Sequence, residues 1–176
     1  MNSLQPLQEI RGKTREVHQE TLPLRETAPP ARALFILGSG GDGVITAGNL
    51  LARSACHDGV YCQLTKLFGP QIRGGESGVW VQFGCDQVGS FTNRADIVVV
   101  LSWRCYPFFA HQLKFGSSCT IFYDSSEEDQ VPEALKKPTS GLTLVPVPFR
   151  REAEKHFGGP RMRNIVLVGF FRASGT

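Results

Sequence analysis

The chain has 176 residues, of which 41% are hydrophobic and 20% charged, and its formal net charge at pH 7 is +3. This composition is typical of one globular domain, and a small charge spread along the chain does not favour nucleic acid or a membrane surface as a partner. No run approaches the roughly 18 apolar residues of a membrane span and the N-terminus has no apolar signal core, so we expect a cytoplasmic protein.

Residues 1–32 are predicted to form a flexible N-terminal extension outside the folded core. They carry alternating charges, four prolines and little apolar periodicity, a composition typical of segments that do not bury a core. The sequence Ala28-Pro29-Pro30 marks the expected boundary. Residues 33–176 are predicted to form one α/β domain.

A glycine-rich turn joins the first predicted strand to the first predicted helix. The apolar run Ala33 to Leu37 is typical of a strand buried on both faces. Gly38-Ser39-Gly40-Gly41-Asp42-Gly43 follows it, and a helix is predicted from Val44 to His57, where Gly48 allows close packing on the sheet. Such a turn presents backbone N–H groups at the positive end of a helix dipole, which suits a phosphate or another anion.

A second glycine-rich loop follows the next predicted strand, Val60 to Thr65. It reads Phe68-Gly69-Pro70-Gln71-Ile72-Arg73-Gly74-Gly75, and it should emerge beside the first turn if the first two strands are neighbours. Arg73 is placed to offer two N–H groups to a carboxylate or phosphate, although an arginine bonded to loop carbonyls fits the sequence equally well. Ser77 to Phe83 alternates like a half-exposed strand, and residues 87–91 are a candidate hairpin partner for it.

The second half of the chain continues the alternation of strands and helices. Asp96 to Leu101 is apolar and β-branched, which predicts a central strand. Strands separated by helical crossovers predict an α/β fold with an open, Rossmann-like, mostly parallel sheet flanked by helices and a β-hairpin insertion. Because the apolar pattern still runs at Phe170 and Phe171, a truncated C-terminus is left open. Further strands are predicted at 119–123 and 142–147, and further helices at 106–113, 149–157 and 164–171.

The spacing Gly38-x-Gly40-x-x-Gly43 matches the fingerprint of dinucleotide-binding folds. That fingerprint also requires an Asp or Glu about 20 residues further on to bind the adenine ribose. Residues 59–75 contain no carboxylate, so NAD is disfavoured, while Lys66 leaves NADP as an alternative. The other alternative is that the glycines only permit a tight turn and close packing.

Candidate metal ligands and nucleophiles do not cluster in the sequence. The five cysteines have no C-x-x-C spacing, which indicates isolated thiols rather than a disulfide framework, a zinc site or an iron–sulfur cluster. His111 and His156 have no further ligand at a suitable spacing, and no serine has an identifiable base. We therefore expect neither a metal site nor a catalytic residue in this chain.

The two glycine loops, taken together, closely resemble the gamma subunit or gamma domain of the 2-oxoacid:ferredoxin oxidoreductases. The resemblance rests on residues 38–48 and 68–75, in the family's order and separation, with weaker agreement at 95–99, 145–149 and 164–169. In that family, thiamine diphosphate attacks a 2-oxoacid and carbon dioxide leaves. Electrons pass to iron–sulfur clusters and then to ferredoxin, and coenzyme A takes the acyl group.

The resemblance implies an accessory component that is inactive alone. Thiamine diphosphate, Mg and iron–sulfur clusters are expected in alpha and beta partners, in a delta partner, or in fused domains, with ferredoxin contacted only indirectly. The two loops are expected to close the active site or to receive coenzyme A as a shared ligand. The candidate cofactor-binding residues are Gly38, Gly40, Gly41, Asp42, Gly43, Gly69, Arg73, Gly74 and Gly75.

Asp42 departs from the pattern of the free gamma subunits, which usually have glutamine at this position. Fused alpha-type chains, such as those of 2-oxoglutarate enzymes, often have aspartate, so Asp42 leaves the choice between pyruvate and 2-oxoglutarate open. Its carboxylate would repel a phosphate unless it points away to cap the following helix.

Two clusters of side chains in the second half also leave alternatives open. The aromatic cluster fits packing on the chain's own sheet or a subunit contact. The basic cluster fits a solvated helix face, or a contact with an acidic partner or coenzyme A. The aromatic residues are Trp103, Tyr106, Phe108 and Phe109, and the basic residues are Arg150, Arg151, Lys155, Arg161 and Arg163.

Overall fold

The computed structural model of the chain describes residues 32–70, 74–84, 92–137 and 141–174. The predicted N-terminal extension, apart from Arg32, lies outside these residues. So do Arg73 with its two preceding neighbours and the candidate hairpin segment 87–91.

The described strands form one six-stranded sheet in the order β2-β3-β1-β4-β5-β6. β3 runs antiparallel to both of its neighbours, β2 and β1, whereas β1, β4, β5 and β6 pair in parallel. All strands except β3 therefore point the same way, and the predicted mostly parallel α/β sheet is confirmed. The strands are β1 Arg32–Ser39, β2 Tyr61–Phe68, β3 Glu76–Gly84, β4 Arg94–Val100, β5 Lys114–Asp124 and β6 Leu142–Val147.

Helices cover both faces of the sheet, and each face has its own hydrophobic cluster. On one face Phe35 stacks against Trp80, with ring centroids 4.6 Å apart, and against Phe109. On the other face Ile36 and the valines of β3 pack against α1, α4 and α5. Alternate residues of the buried central strand β1 thus serve two different cores. The helices are α1 Val44–His57, α2 Tyr106–Phe109, α3 Glu133–Lys136, α4 Phe149–Phe157 and α5 Arg163–Ser174.

β3 is more deeply buried than its alternating sequence predicts. The four residues from Val79 to Gln82 are all buried, so the expectation of a half-exposed strand is wrong. The physical reason is that β3 is paired along both edges, with β1 on one side and β2 on the other, and is covered on both faces. Among the described residues, a hairpin is formed by β2 and β3.

The region between β4 and β5 also differs from its predicted form. Instead of one helix over 106–113, a 3-10 turn, Trp103–Cys105, leads into the single turn α2. β5 begins at Lys114 rather than Cys119, and its pairing with β4 shifts register between Ala95 and Ile97. Gly116-Ser117-Ser118 concealed this early start, because glycine and serine are weak strand signals. The aromatic cluster packs on the chain's own sheet, with Trp103 and Phe109 buried.

Gly48 explains how closely α1 lies against β3. A Cβ atom added to Gly48 would lie 2.7 Å from Cγ1 and 2.8 Å from Cγ2 of Val79, a stiff, fully buried side chain. The close approach predicted from the sequence is therefore confirmed.

We expect Gly48→Ala to destabilise the protein by about 1 kcal/mol, because overpacking costs about 1–3 kcal/mol and exceeds the roughly 1 kcal/mol gain in helix propensity. Urea denaturation measures the change. Gly169→Ala in α5 is the matched control, since its Cβ would meet nothing within 4 Å; it should leave stability unchanged or raise it. An equal response of the two variants would contradict close α1–β3 packing.

Candidate functional site

The carboxyl ends of the parallel strands form the candidate site. From β1 the chain first builds β2 and β3 on one side and then returns to add β4, β5 and β6 on the other. The sheet therefore has a topological switch point beside β1, where open α/β sheets bind their ligands. The glycine turn, residues 38–43, lies at this point.

The two glycine loops meet, as the sequence predicts, but by a different route. The N–H of Gly40 donates to the carbonyl oxygen of Gly75 at 2.7 Å and so joins the two loops. The N–H of Gly69 donates to the carbonyl oxygen of Glu76 at 2.7 Å, which joins the two ends of the second loop. The premise that β1 and β2 are neighbours is wrong, because β3 lies between them. Glu76, the first residue of β3, pairs with Ser39, the last residue of β1, and this pairing places the second loop beside the first turn.

At most positions of the glycine turn, contacts within the chain explain why glycine is required. A Cβ on Gly38 would lie 3.0 Å from both Asp42 and Val44, and one on Gly40 would lie 3.3 Å from the backbone of Gly74. Gly43 has φ of +77°, and its Cβ would lie 2.7 Å from the side chain of Asn164. These contacts support the alternative in which the glycines serve packing.

Gly41 differs from the other glycines of the turn. Its φ is +103°, and a Cβ atom there would meet nothing within 4 Å. The turn is thus packed against its own chain on the inside and open at Gly41. A ligand or a partner can approach the turn from that side.

Asp42 does not cap α1. Gly43 is the N-cap residue, and no side chain caps this helix end. One carboxylate oxygen of Asp42 instead accepts the N–H of Ser39 at 2.8 Å, and the other accepts Nη2 of Arg163 at 2.6 Å. The helix cap, which was the condition for a phosphate beside Asp42, is therefore not formed, because a buried guanidinium distant in sequence offers a stronger charge-assisted bond.

Arg163 is the site residue that the sequence did not identify. It belongs to the basic cluster, yet Arg150, Arg151, Lys155 and Arg161 are exposed whereas the side chain of Arg163 is only 7% exposed. Besides Asp42, its guanidinium donates to the carbonyl oxygen of Leu101 at 3.0 Å and lies 3.6 Å from the carboxylate of Asp124. Its Nε has no partner among the described residues. No local signal marks this role, because its partners precede it by many residues.

Asp124 is the second buried carboxylate of this cluster. It is the last residue of β5, and one oxygen accepts the N–H and Oγ–H of Ser126 at 3.0 and 2.8 Å. The other oxygen accepts the N–H of Arg150 at 2.9 Å, where Pro148 provides no side-chain cap for α4. The ends of β1, β4 and β5 and the starts of α4 and α5 are therefore joined by one buried polar network.

The charges at this end of the sheet do not favour a phosphate beside Asp42. Asp42 and Asp124 share the single guanidinium of Arg163, and Glu76 adds a third carboxylate nearby. An anion would lie better against backbone N–H groups at the open side of the turn, or against a cation on the second loop. Arg73 is such a cation in the sequence, and it lies outside the described residues.

Cys105 lies next to the turn but is poorly suited to nucleophilic chemistry. Its Sγ is 3.3 Å from Oγ of Ser39. Burial raises the pKa of the Cys105 thiol above its ordinary value, and the carboxylates of Glu76 and Asp42 raise it further, against a lowering by the Ser39 hydrogen bond. The thiol therefore stays protonated at neutral pH, whereas the thiolate is the reactive form.

The arrangement of strands does not assemble a dinucleotide site of the predicted kind. In such sites the residue that binds the ribose lies at the end of the strand next to β1. Here Lys66 lies on β2, which is separated from β1 by β3. Arg163 also occupies the switch point, so the NADP alternative gains no support.

The described residues contain neither a cluster of metal ligands nor a helix that could span a membrane. Within the described ranges, no three or more side chains of His, Cys, Asp and Glu come together in a way that could hold a metal ion. None of the described helices has the length and apolar character needed to cross a membrane.

Comparison with known proteins identifies one family. The family described as pyruvate ferredoxin/flavodoxin oxidoreductase matches residues 33–176. The 2-oxoglutarate synthase subunit KorC of Methanocaldococcus jannaschii is 32% identical over 141 residues, covering 78% of this chain and 72% of KorC. The ketoisovalerate oxidoreductase subunit VorA of Methanothermobacter thermautotrophicus is 30% identical, covering 87% of this chain but 30% of VorA.

Solved structures share the fold. The 2-oxoglutarate:ferredoxin oxidoreductase of Magnetococcus marinus, with 2-oxoglutarate, coenzyme A and succinyl-CoA bound, matches with a TM-score of 0.68 and 21% identity, over 80% of this chain and 24% of that chain. The gamma subunit of a keto/oxoacid ferredoxin oxidoreductase from Geobacter sulfurreducens matches with a TM-score of 0.63 and 22% identity, over 80% of this chain and 74% of that subunit.

We expect Gly43→Ala to lower the free energy of unfolding by about 3 kcal/mol, because left-handed strain of about 1–2 kcal/mol is added to a collision with Asn164. Gly41→Ala should cost only the strain, about 1–2 kcal/mol. Chemical denaturation of both variants measures the difference.

Asn164→Ala provides the control for this comparison. In that background Gly43→Ala should cost less than in the wild-type chain, because Cγ and Nδ2 of Asn164, each 2.7 Å from the new methyl group, are removed, although Cβ of residue 164 remains 2.8 Å away. Identical losses for Gly43→Ala in the two backgrounds would show that the amide group of Asn164 does not limit this position.

Proposed function

The chain belongs to the pyruvate ferredoxin/flavodoxin oxidoreductase family, and on that premise we propose that it is the gamma-type accessory component of a thiamine diphosphate-dependent 2-oxoacid:ferredoxin oxidoreductase. The match over residues 33–176 is the observation that carries this proposal, and it confirms the resemblance predicted from the glycine loops. The complex would convert a 2-oxoacid to an acyl-coenzyme A with electrons passing to ferredoxin. The chain alone would be inactive.

In this proposal other components hold the reactive groups. Thiamine diphosphate with Mg and iron–sulfur clusters would supply decarboxylation and electron transfer when bound to alpha, beta and delta subunits or to fused domains. The described residues of this chain do not fit a metal or a cluster, since they contain no group of three close ligands. This chain would contribute a surface that helps to bind a ligand shared with the other components. The assembly would act in the cytoplasm and would contact ferredoxin indirectly.

The surface that we propose for this role is the pair of glycine loops. The hydrogen bond from Gly40 to Gly75 holds the two loops as one unit, and Gly41 is open on its outer side. Backbone N–H groups there suit an anion, and the sequence places Arg73 within the same unit. We propose that this unit receives the phosphates of coenzyme A at its outer side, away from the carboxylate of Asp42.

The names of the relatives support a class of substrate, the 2-oxoacids, rather than one 2-oxoacid. The names of the relatives include 2-oxoglutarate, ketoisovalerate and pyruvate oxidoreductases, and their identities to this chain are alike, at 30–32%. The enzyme of M. marinus was solved with coenzyme A bound, which supports coenzyme A as a ligand of such an assembly. A 2-oxoacid of unspecified side chain is accordingly the substrate that we propose.

Reconstitution tests the function. We expect no activity from the chain alone, and reduction of methyl viologen dependent on a 2-oxoacid and coenzyme A when the chain is co-expressed with the products of its neighbouring genes. Omitting the chain should abolish that activity. The proposal would be excluded if the isolated chain were active. It would also be excluded if no complex of the chain with the products of its neighbouring genes were active.

The role of Arg73 is tested in the same complex. We expect Arg73→Ala to raise the KM for coenzyme A by about tenfold with little change in kcat, because a charge-assisted hydrogen bond contributes about 1.5–3 kcal/mol. Lys66→Ala is the matched control, since it removes an exposed cation from β2 before the same loop. Weaker assembly of Arg73→Ala with an unchanged KM would instead indicate a domain whose loops bind only protein.

A further inference from the structure

We propose that Arg163 is a positioning residue: by holding Asp42 it fixes the glycine turn in the conformation that the assembled enzyme needs to use coenzyme A. The inference rests on the proposed function for its kinetic readout. It also makes a claim about the chain itself, namely that a side chain of α5 sets the geometry of a turn at the start of α1.

The contacts of Arg163 join three separate parts of the chain. Nη2 donates to one carboxylate oxygen of Asp42 at 2.6 Å, and Nη1 donates to the carbonyl oxygen of Leu101, just after β4, at 3.0 Å. The other oxygen of Asp42 accepts the N–H of Ser39 at 2.8 Å. The position of α5 is thus transmitted through one side chain to the last residue of β1.

Without this arginine, the N–H of Ser39 would be the contact left among the described hydrogen bonds to hold the carboxylate of Asp42 inward. Asp124 shares the guanidinium with Asp42, and without the cation the two like charges would repel each other. The side chains of Asp42 and Arg163 are only 15% and 7% exposed, so water screens this pair less than it screens a surface pair. Asp42 would rotate toward solvent and release the N–H of Ser39.

The effect would reach the second glycine loop. Asp42 also donates its backbone N–H to the carbonyl oxygen of Ser39 at 3.0 Å, so the turn is closed on itself next to Gly40. Gly40 in turn donates to Gly75. A turn released from Arg163 would therefore displace both loops. The two hydrophobic clusters contain neither Asp42 nor Arg163, so they would stay packed.

A set of three variants separates positioning from simple stabilisation. Arg163→Gln leaves the carboxylate of Asp42 buried without a cation, so stability and coenzyme A use should both suffer. Asp42→Asn keeps an acceptor for Ser39 and removes one charge. The double variant Asp42→Asn/Arg163→Gln removes the unpaired charge at position 42, and Asp124 keeps its three other hydrogen bonds. Its midpoint of urea denaturation should return most of the way to that of the wild type.

The kinetic readout is the KM for coenzyme A in the reconstituted complex. We expect it to be raised about tenfold in the double variant although stability is recovered, with kcat changed less than threefold. Arg163→Lys should give an intermediate KM, because an ammonium group cannot reproduce the two-armed geometry. Arg53→Gln, which removes an exposed arginine of α1, should leave KM unchanged. A double variant with both wild-type stability and wild-type KM would overturn the inference.

Hydrogen exchange of the isolated full-length chain tests the clamp without any activity. The amides of Ser39 and Gly40 should exchange at least tenfold faster in the double variant, whereas those of β4 and β5 should be unchanged. Unchanged exchange at Ser39 and Gly40 would overturn the inference, even if the complex is active. An inactive complex containing the wild-type chain would exclude the proposed function instead, and faster exchange at these amides would still support the clamp.

Discussion

The organisation of this domain depends on a guanidinium buried at the carboxyl ends of its central strands. A charge removed from water must be paired and hydrogen-bonded, or it destabilises the fold. Arg163 meets this requirement with the carboxylate of Asp42, which follows β1, with that of Asp124 at the end of β5, and with the carbonyl oxygen that follows β4. In doubly wound folds this position commonly holds the anion of a ligand. Here the chain fills it with its own ion pairs, and for that reason we proposed the loops, rather than this position, as the site for coenzyme A.

The antiparallel strand β3 is the second determinant of the site. By inserting between β1 and β2, it separates the strand ends that a dinucleotide site would use. The same insertion pairs Glu76 with Ser39 and so brings the second glycine loop against the first. One strand thus separates the strand ends of a dinucleotide site and brings together the two loops that we proposed as a surface for coenzyme A.

The sequence predicted local features well and long-range features poorly. The bounds of α1, α4 and β6 agree with their predicted bounds, because apolar periodicity and flanking glycines or prolines act over a few residues. The place of β3 in the sheet was not predictable from its alternating pattern, since burial depends on which strands pair with it. Local rules offered a helix cap as one possibility for Asp42, whereas its partner Arg163 lies 121 residues away. The glycines illustrate the same division: their positions were evident from the sequence, but the contacts of Gly40 and Gly43 were not.

That separation of 121 residues between Asp42 and Arg163 also orders events during synthesis. At about 5–20 residues per second, Arg163 leaves the ribosome roughly 6–24 s after Asp42. Until then the glycine turn lacks its cation, while β1, α1 and the β2–β3 hairpin are already available to pair. The surface that we propose for coenzyme A is therefore completed by the last helix of the described residues. A nascent chain that has not yet been translated through α5 would lack the ion pair that fixes this surface.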